Sequence, residues 1–359
     1  YNPDNPWQAS LTCLEFQNRF KLNTLMKIPN VEKRLAEWKL KYKSRDDLFI
    51  KSIEDYEKSI HWTLKKLDKN VNQDGISEMS YSIQGCGRKG SQRMGIQMES
   101  RLFRGLLCSD YYVDIDMINA HFWIAEYVYR TKYGIDTTFF RDYLDNRERR
   151  IKQMIDLNPG KNLSRGKVKQ LYLIALNGGK SDIEKFSEDY ATTSSFLVFL
   201  RSIRKAHEII LETDKRKVNR YRIEHPNKNT NLSYLNSLLT PIENELLDYA
   251  ISKFIDHKII KHHMYTNIYD GFQFYRFRSI TDEQIEDVVR IVNEGIVRDK
   301  GMNVKFKVKE IETVLDINEL CTPEEWRDLG FVEGKYVEKW TKEFADDWID
   351  SVIYDYSEK

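Results

Sequence analysis

The chain has 359 residues, with 57 Lys and Arg against 56 Asp and Glu, so its formal net charge is +1. At 41% hydrophobic and 31% charged it is too apolar to stay disordered and long enough for two or three subdomains. Its apolar runs, such as Phe196 to Leu200, are far shorter than a membrane span, and with the total charge balanced, polyanion binding would need a local concentration of basic residues.

No charged-then-apolar leader opens the chain, and its first residue is Tyr1, as expected of a fragment or domain. Cys13, Cys86, Cys108 and Cys321 are widely spaced and form no metal-ligand pair, which points to reduced intracellular thiols. After an irregular start, residues 31–70 read as charged helices. In the second of them, Ile53, Tyr56, Ile60, Leu64 and Leu67 make one apolar stripe. Residues 72–80 read as a polar break. A glycine-rich segment follows, in which Gly85, Gly87, Gly90 and Gly95 are spread among Arg88, Lys89, Arg93 and Gln97, with Arg101 and Arg104 just beyond. Glycines let a backbone approach a ligand, and phosphates need such donors; a plain surface loop is the alternative.

Between 110 and 129 the pattern changes to DYYVDIDMINAHFWIAEYVY. Val113, Ile115 and Met117 alternate with Asp114 and Asp116, as in a strand with one buried face and carboxylates on the other, roughly 7 Å apart at Cα. Ala120, Ile124 and Val128 then recur at helical spacing, with His121 near the helix start. Such a strand end can hold a hard divalent cation through oxygen ligands, or simply face its acids to solvent.

Basic residues outnumber acidic ones between 141 and 169. Ser164 offers an N-cap to a helix with Arg165, Lys169, Leu173 and Asn177 at successive i+4 positions, ending at Asn177-Gly178-Gly179. Two cations one turn apart suit a triphosphate, although basic runs are commonly only solvated surface. Residues 181–230 read as polar helices without evident chemistry, and Thr240-Pro241 reads as a helix start. In HHMYTNIYDGFQFYRFR, residues 262–278, two β-rich runs flank Asp270-Gly271, a hairpin signal for which the alternative is an aspartate that only shapes the turn. A capping box at Thr281 to Gln284, a helix with Ile285, Val288, Val289, Val292 and Ile296 on one face, and a strand with Val304, Phe306 and Val308 complete an antiparallel sheet covered by helices. Beyond Asp316, the aromatic stripe of Trp340, Phe344, Trp348 and Val352 reads as a connector to a further domain.

Taken together over roughly residues 84–315, these segments resemble the polymerase core of family A DNA polymerases. The glycine-arginine segment from Arg88 to Gln97, the strand with Asp116, the helix with Arg165 and Lys169 and the hairpin with Asp270 occur in the family's order. The wording DIDMINAH and YDGF looks most like the divergent transposon and viral branch, found in virophages and often fused to a superfamily 3 helicase. The resemblance implies an α+β right-hand polymerase with an antiparallel palm sheet and helical fingers and thumb. Its expected parts are a helical, thumb-like region (1–80), a first palm part with a DNA-contact loop (81–140), fingers-like helices (141–230), a second palm part (231–315) and a C-terminal linker (316–359).

The same resemblance implies two Mg²⁺ ions, with Mn²⁺ as an alternative, on Asp116, Asp270 and the main-chain carbonyl of Met117. Arg165, Lys169, His121 and Asn177 would meet the nucleotide, and Arg88, Lys89, Arg93, Gln97 and Arg101 the DNA. His121 stands where the family has the glutamate that packs against the sugar, Leu173 and Asn177 replace an aromatic and a tyrosine, and Gly271 replaces an acid. The expected function is template-directed DNA polymerisation for a virus or mobile element, with primer-template DNA and nucleoside triphosphates as partners, a helicase domain in the full-length chain and no membrane. The expected location is intracellular, at a viral replication site in the cytoplasm or nucleus. A primase-like enzyme starting chains with ribonucleotides, and an inert nucleic-acid-binding module, are the alternatives.

Overall fold

The structure is a computed structural model and describes residues 12–43, 51–84, 88–92, 95–226, 229–311 and 315–357. Two antiparallel sheets organise it. The larger is formed by β4 (Tyr112–Met117), β5 (Tyr265–Ile268), β6 (Gly271–Tyr275) and β7 (Phe306–Lys309) in the spatial order β5-β6-β4-β7. The smaller pairs β1 (Thr12–Phe16), β2 (Ile76–Gln84) and β3 (Arg88–Ser91) in chain order.

The smaller sheet corrects the sequence reading, which has an irregular start and a polar break where β1 and β2 lie. Met79 and Tyr81 do alternate inward along β2, but serines separate them and Ile83 is exposed, so the pattern carries little apolar weight. In β1 the inward set includes Glu15, whose carboxylate takes the Ile96 N–H at 2.8 Å and the Tyr81 hydroxyl at 3.1 Å. Burying that acid is tolerable only because these donors meet it.

Helices α1 (Arg19–Lys27), α2 (Val31–Lys43) and α3 (Ile53–Asn70) follow β1, and α3 buries Tyr56, Ile60, Leu64 and Leu67 as its stripe requires. Short α4 (Arg101–Cys108) leads into β4, and α5 (Ala120–Tyr133) leaves it. A helical body follows: α6 (Thr138–Asp156), α7 (Arg165–Leu176), α8 (Lys180–Asp189), α9 (Ser194–Thr213) and α10 (Lys215–Glu224). Its centre is aromatic, with Tyr143 stacked on Tyr172 at 4.2 Å and Phe199 edge-on to Tyr172 at 5.3 Å.

Helix α11 runs unbroken from Thr230 to Asp256 with Pro241 inside it, so the expected helix start at Thr240-Pro241 does not occur. Proline removes one N–H from the helix ladder. Burial of Leu239, Glu243, Leu246 and Leu247 on both sides of it keeps the helix continuous, and the Thr240 hydroxyl donates back to the Asn236 carbonyl instead of capping a new helix. By contrast, α12 (Asp282–Lys300) begins with the expected capping box of Thr281 and Gln284.

The C-terminal region packs back on the rest of the chain. Arg34 clasps Glu325 of α13 (Pro323–Asp328), and between that helix and α14 (Lys342–Ser357) the chain returns to its beginning, where Trp340 stacks on Phe16. Asp346 of α14 accepts from the Tyr275 hydroxyl at 2.7 Å and from the Arg278 backbone N–H at 2.8 Å. No described helix is long and apolar enough to cross a membrane.

Candidate active site

Strand β4 lies between β6 and β7, and its alternation puts Asp114 and Asp116 on one face while Ile115 is fully buried. Asp116 sits opposite Gly271 on one side and Lys307 on the other. The Met117 N–H donates to the Asp270 carbonyl at 3.1 Å, so the tip of the β5-β6 hairpin is tied to the end of β4. Two acidic residues more than a hundred positions apart in sequence therefore reach the same end of the sheet.

The hairpin loop consists of Tyr269 and Asp270, with Gly271 already the first residue of β6. Positive φ falls on Tyr269 (52°), a conformation a tyrosine adopts only when its surroundings enforce it. Gly271 is required for another reason. A Cβ there would lie 2.4 Å from the Ile115 carbonyl oxygen and 3.2 Å from the Asp116 Cα, so β6 approaches β4 too closely for any side chain, an acid included.

Burial raises the pKa of the Asp270 carboxyl, and repulsion from Asp116 and Glu243 adds to it while His121 opposes it. Asp114 is pushed up to about 6, again chiefly by burial, with Lys309 and a hydrogen bond from Gln273 pulling the other way. The Lys309 ammonium stands 3.3 Å from Asp116 Oδ2.

The cations that the sequence pairs on α7 have different settings. Ser164 caps the helix as expected, accepting from the Lys167 N–H. Lys169 is exposed by area but partly screened from solvent in the cleft, which lowers its pKa, and it feels Arg147 as a neighbouring cation and Asp270 and Asp116 as attracting anions. Arg165, one turn earlier, is exposed and makes a two-pronged pair with Glu148 at 2.6 and 2.8 Å. Asn177 caps the far end of α7, about 12 Å along the axis from Lys169 at 1.5 Å per residue, and the adjoining Gly178 packs against Leu232 of α11. It is not brought to the carboxylates.

His121, in the first turn of α5, meets Glu243 of α11 at 2.7 Å, and that glutamate is completely buried. The turn before it rests on Asn119, which has φ 55° and accepts from the Arg147 guanidinium. Glu243, Lys309, Arg147 and Asn119 are the residues that sequence reasoning did not assign to the site. One signal existed for Glu243: it lies in register with Leu239, Leu246, Leu247 and Ala250, an acid on an apolar stripe.

The expected DNA contacts divide. Lys89 is buried against Asp248 of α11, and Gln97 is buried as well, accepting from the Ser91 N–H at 2.7 Å and donating to the Lys89 carbonyl at 3.1 Å. Both brace the glycine-rich hairpin from inside, so neither presents its head group to a ligand from this position. Arg101 is exposed and lines a cleft of about 690 Å³ together with Arg165 and Lys169. Arg93 and the side chain of Arg88 lie outside the described residues.

Among the described residues, no group of three or more His, Cys, Asp or Glu is arranged to hold a metal ion. The oxygen donors at the strand end are the Asp116 and Asp270 carboxylates and nearby main-chain carbonyls. This set fits Mg²⁺, which binds through one or two carboxylates and completes its shell with water and substrate phosphates. Burial is the main cause that raises Asp270, and the repulsion from Asp116 that adds to it is a second sign of fit, since a cation between the carboxylates would relieve it.

No protein-family model matches the chain, and no curated protein matches it. Among solved structures it is similar to the POL domain of Pol1 from M. smegmatis, in complex with DNA primer-template and dNTP, at a TM-score of 0.48 and 13% sequence identity. The match covers 72% of this chain and 52% of that one, so this chain spans about half the length of its neighbour.

Proposed function

We propose that the chain is the polymerase core of a template-directed DNA polymerase that extends a primer 3′-hydroxyl. The observation that carries this reading is the tie between Met117 and Asp270, which gathers two carboxylates at one end of an antiparallel sheet, within the electrostatic reach of Lys169. Two Mg²⁺ ions, or Mn²⁺, held by Asp116, Asp270 and the Met117 carbonyl, would activate the 3′-hydroxyl and stabilise the leaving pyrophosphate when bound.

The protein's own groups do the positioning. Lys169 neutralises the triphosphate near the carboxylates, and Arg165 joins it by exchanging Glu148 for phosphate; an exposed pair of that kind is worth only about 0–1 kcal/mol. His121, steadied by Glu243, faces the sugar. The four-stranded sheet acts as palm, α6 to α10 as fingers and α1 to α3 as thumb. In this proposal the enzyme belongs to a virus or mobile element of the virophage type, is joined to a helicase, and works at a replication site in the host cytoplasm or nucleus. The motifs around Asp116 and Asp270 support that branch.

Primer extension with Mg²⁺ and deoxynucleotides tests the reading. Asp116→Asn and Asp270→Asn should each reduce extension to background, and extension surviving both would overturn it. A primase-like activity is the second reading, favoured by the His121–Glu243 pair where the resembled family has a single glutamate. Ribonucleotide products on an unprimed single strand would support it, and none would remove it.

A further inference from the structure

The cleft that contains Lys169 extends away from the carboxylates toward α2. Its outer wall is aromatic: Trp38 and Tyr42, one helical turn apart, stack with centroids 5.1 Å apart and planes 13° apart, both half-buried. Arg101 and Arg104 of α4 supply cations beside that wall, and Lys169 supplies one from α7, joined by Arg165 when it exchanges Glu148 for phosphate. Among the described residues, the carboxylate in the lining is Glu99, whose pKa burial raises to about 8, so it is mostly protonated at neutral pH and subtracts little from the positive charge. In a chain of net charge +1, this is the local excess of cations that polyanion binding requires.

Size and chemistry narrow the ligand. About 690 Å³ is the volume of a small-ligand site, enough for single nucleotides. Cations alone would suit any phosphate. An aromatic wall beside them is the combination that binds single-stranded nucleic acid, where bases stack and arginines track the backbone. The two cation pairs also sit on different helices, so a strand with successive phosphates can use both, whereas a free nucleotide at Lys169 would leave Arg101 unused.

We propose that this cleft seats an unpaired template nucleotide, with its base against Trp38 and its phosphate on Arg101. The inference deepens the polymerase reading and rests on it for the identity of the strand.

The test is metal-free binding of labelled DNA hairpins with blunt ends or with 5′ overhangs of increasing length, measured by fluorescence anisotropy. The wild-type chain should bind overhangs more tightly than blunt ends. Trp38→Ala should weaken overhang binding about 5- to 150-fold, the range for one stacked base, and change blunt-end binding less than about twofold. Trp38→Phe should retain most of the affinity, and this variant keeps the test valid if the alanine chain misfolds. Arg101→Gln should lower the salt slope for overhangs by about 0.7, one single-strand phosphate.

Equal binding of blunt and overhanging ends by the wild type would overturn the proposal. So would equal weakening of both by Trp38→Phe, or overhang binding that Trp38→Ala leaves undiminished, which would give the aromatic wall no part in holding the strand. Because this measurement needs neither metal nor turnover, failure of the Asp116 and Asp270 variants to abolish extension would register separately as failure of the polymerase reading.

Discussion

Replacing Glu99 by glutamine should stabilise the protein at neutral and alkaline pH and do almost nothing in mild acid. Glu99 is 3% exposed, and no hydrogen bond of normal geometry reaches either carboxyl oxygen. Burial, with repulsion from Glu15, raises its pKa from 4.5 to about 8, against weaker opposing effects of Arg104 and the Gln17 amide. The folded chain therefore binds this proton more tightly than the unfolded chain does, and between those two values stability falls as pH rises. At about 1.4 kcal/mol per pH unit, the interval bounds the cost above pH 8 at ~5 kcal/mol, with most of it present by pH 7. Glutamine keeps the shape and carries no charge to bury. Urea unfolding of both proteins at pH 4.5, 6, 7 and 8.5 should show a stability difference that is small at the first value and grows to several kcal/mol at the last. A difference independent of pH would refute the reasoning.

Gly271→Ala should cost about 3 kcal/mol or more and reduce nucleotidyl transfer, because its methyl group would overlap the Ile115 carbonyl and part β6 from β4; thermal unfolding and primer extension read the two effects. Lys89→Met leaves Asp248 buried without this cation, so it should destabilise by ~3–5 kcal/mol, and unchanged stability with weaker DNA binding would restore Lys89 as a surface contact. Asp346→Ala removes the acceptor for Tyr275, Arg278 and Lys342. Limited proteolysis should then cut within residues 329–341 much faster than in the parent chain, and equal rates would show that α14 is held by its apolar contacts alone.

What the sequence made legible follows from which interactions are local. The β4 alternation, the Thr281 capping box, the Ser164 cap and the α3 stripe each depend on residues a few positions apart, and each appears where expected. The β5-β6 hairpin was also legible, but its turn lies one residue earlier than Asp270-Gly271 suggests, because close strand packing, not a turn, requires that glycine. Strands β1 and β2 were hidden because Glu15 occupies an inward position, and donors far along the chain, Ile96 and Tyr81 among them, make that burial tolerable. Lys89 reads from the sequence as a DNA contact, but Asp248, 159 positions away, faces it inside the fold. The meeting of His121 with Glu243 is likewise a property of how α5 and α11 pack, which neither helix records alone.

The return of the C-terminal region to the first strand has a consequence for how the protein is made. Asn18 donates a hydrogen bond to Glu338, 320 positions later, and the ring of Phe16 waits for Trp340. During synthesis, the aromatic surface that Tyr275 completes with Phe16 and Tyr111 stays uncovered for about 3–13 seconds at about 5–20 residues per second, until Trp340 follows it out of the ribosome. A nascent chain in that state is exposed to aggregation and to chaperones, and a stalled or prematurely ended translation product would carry the same bare patch as a mark by which quality control could recognise it.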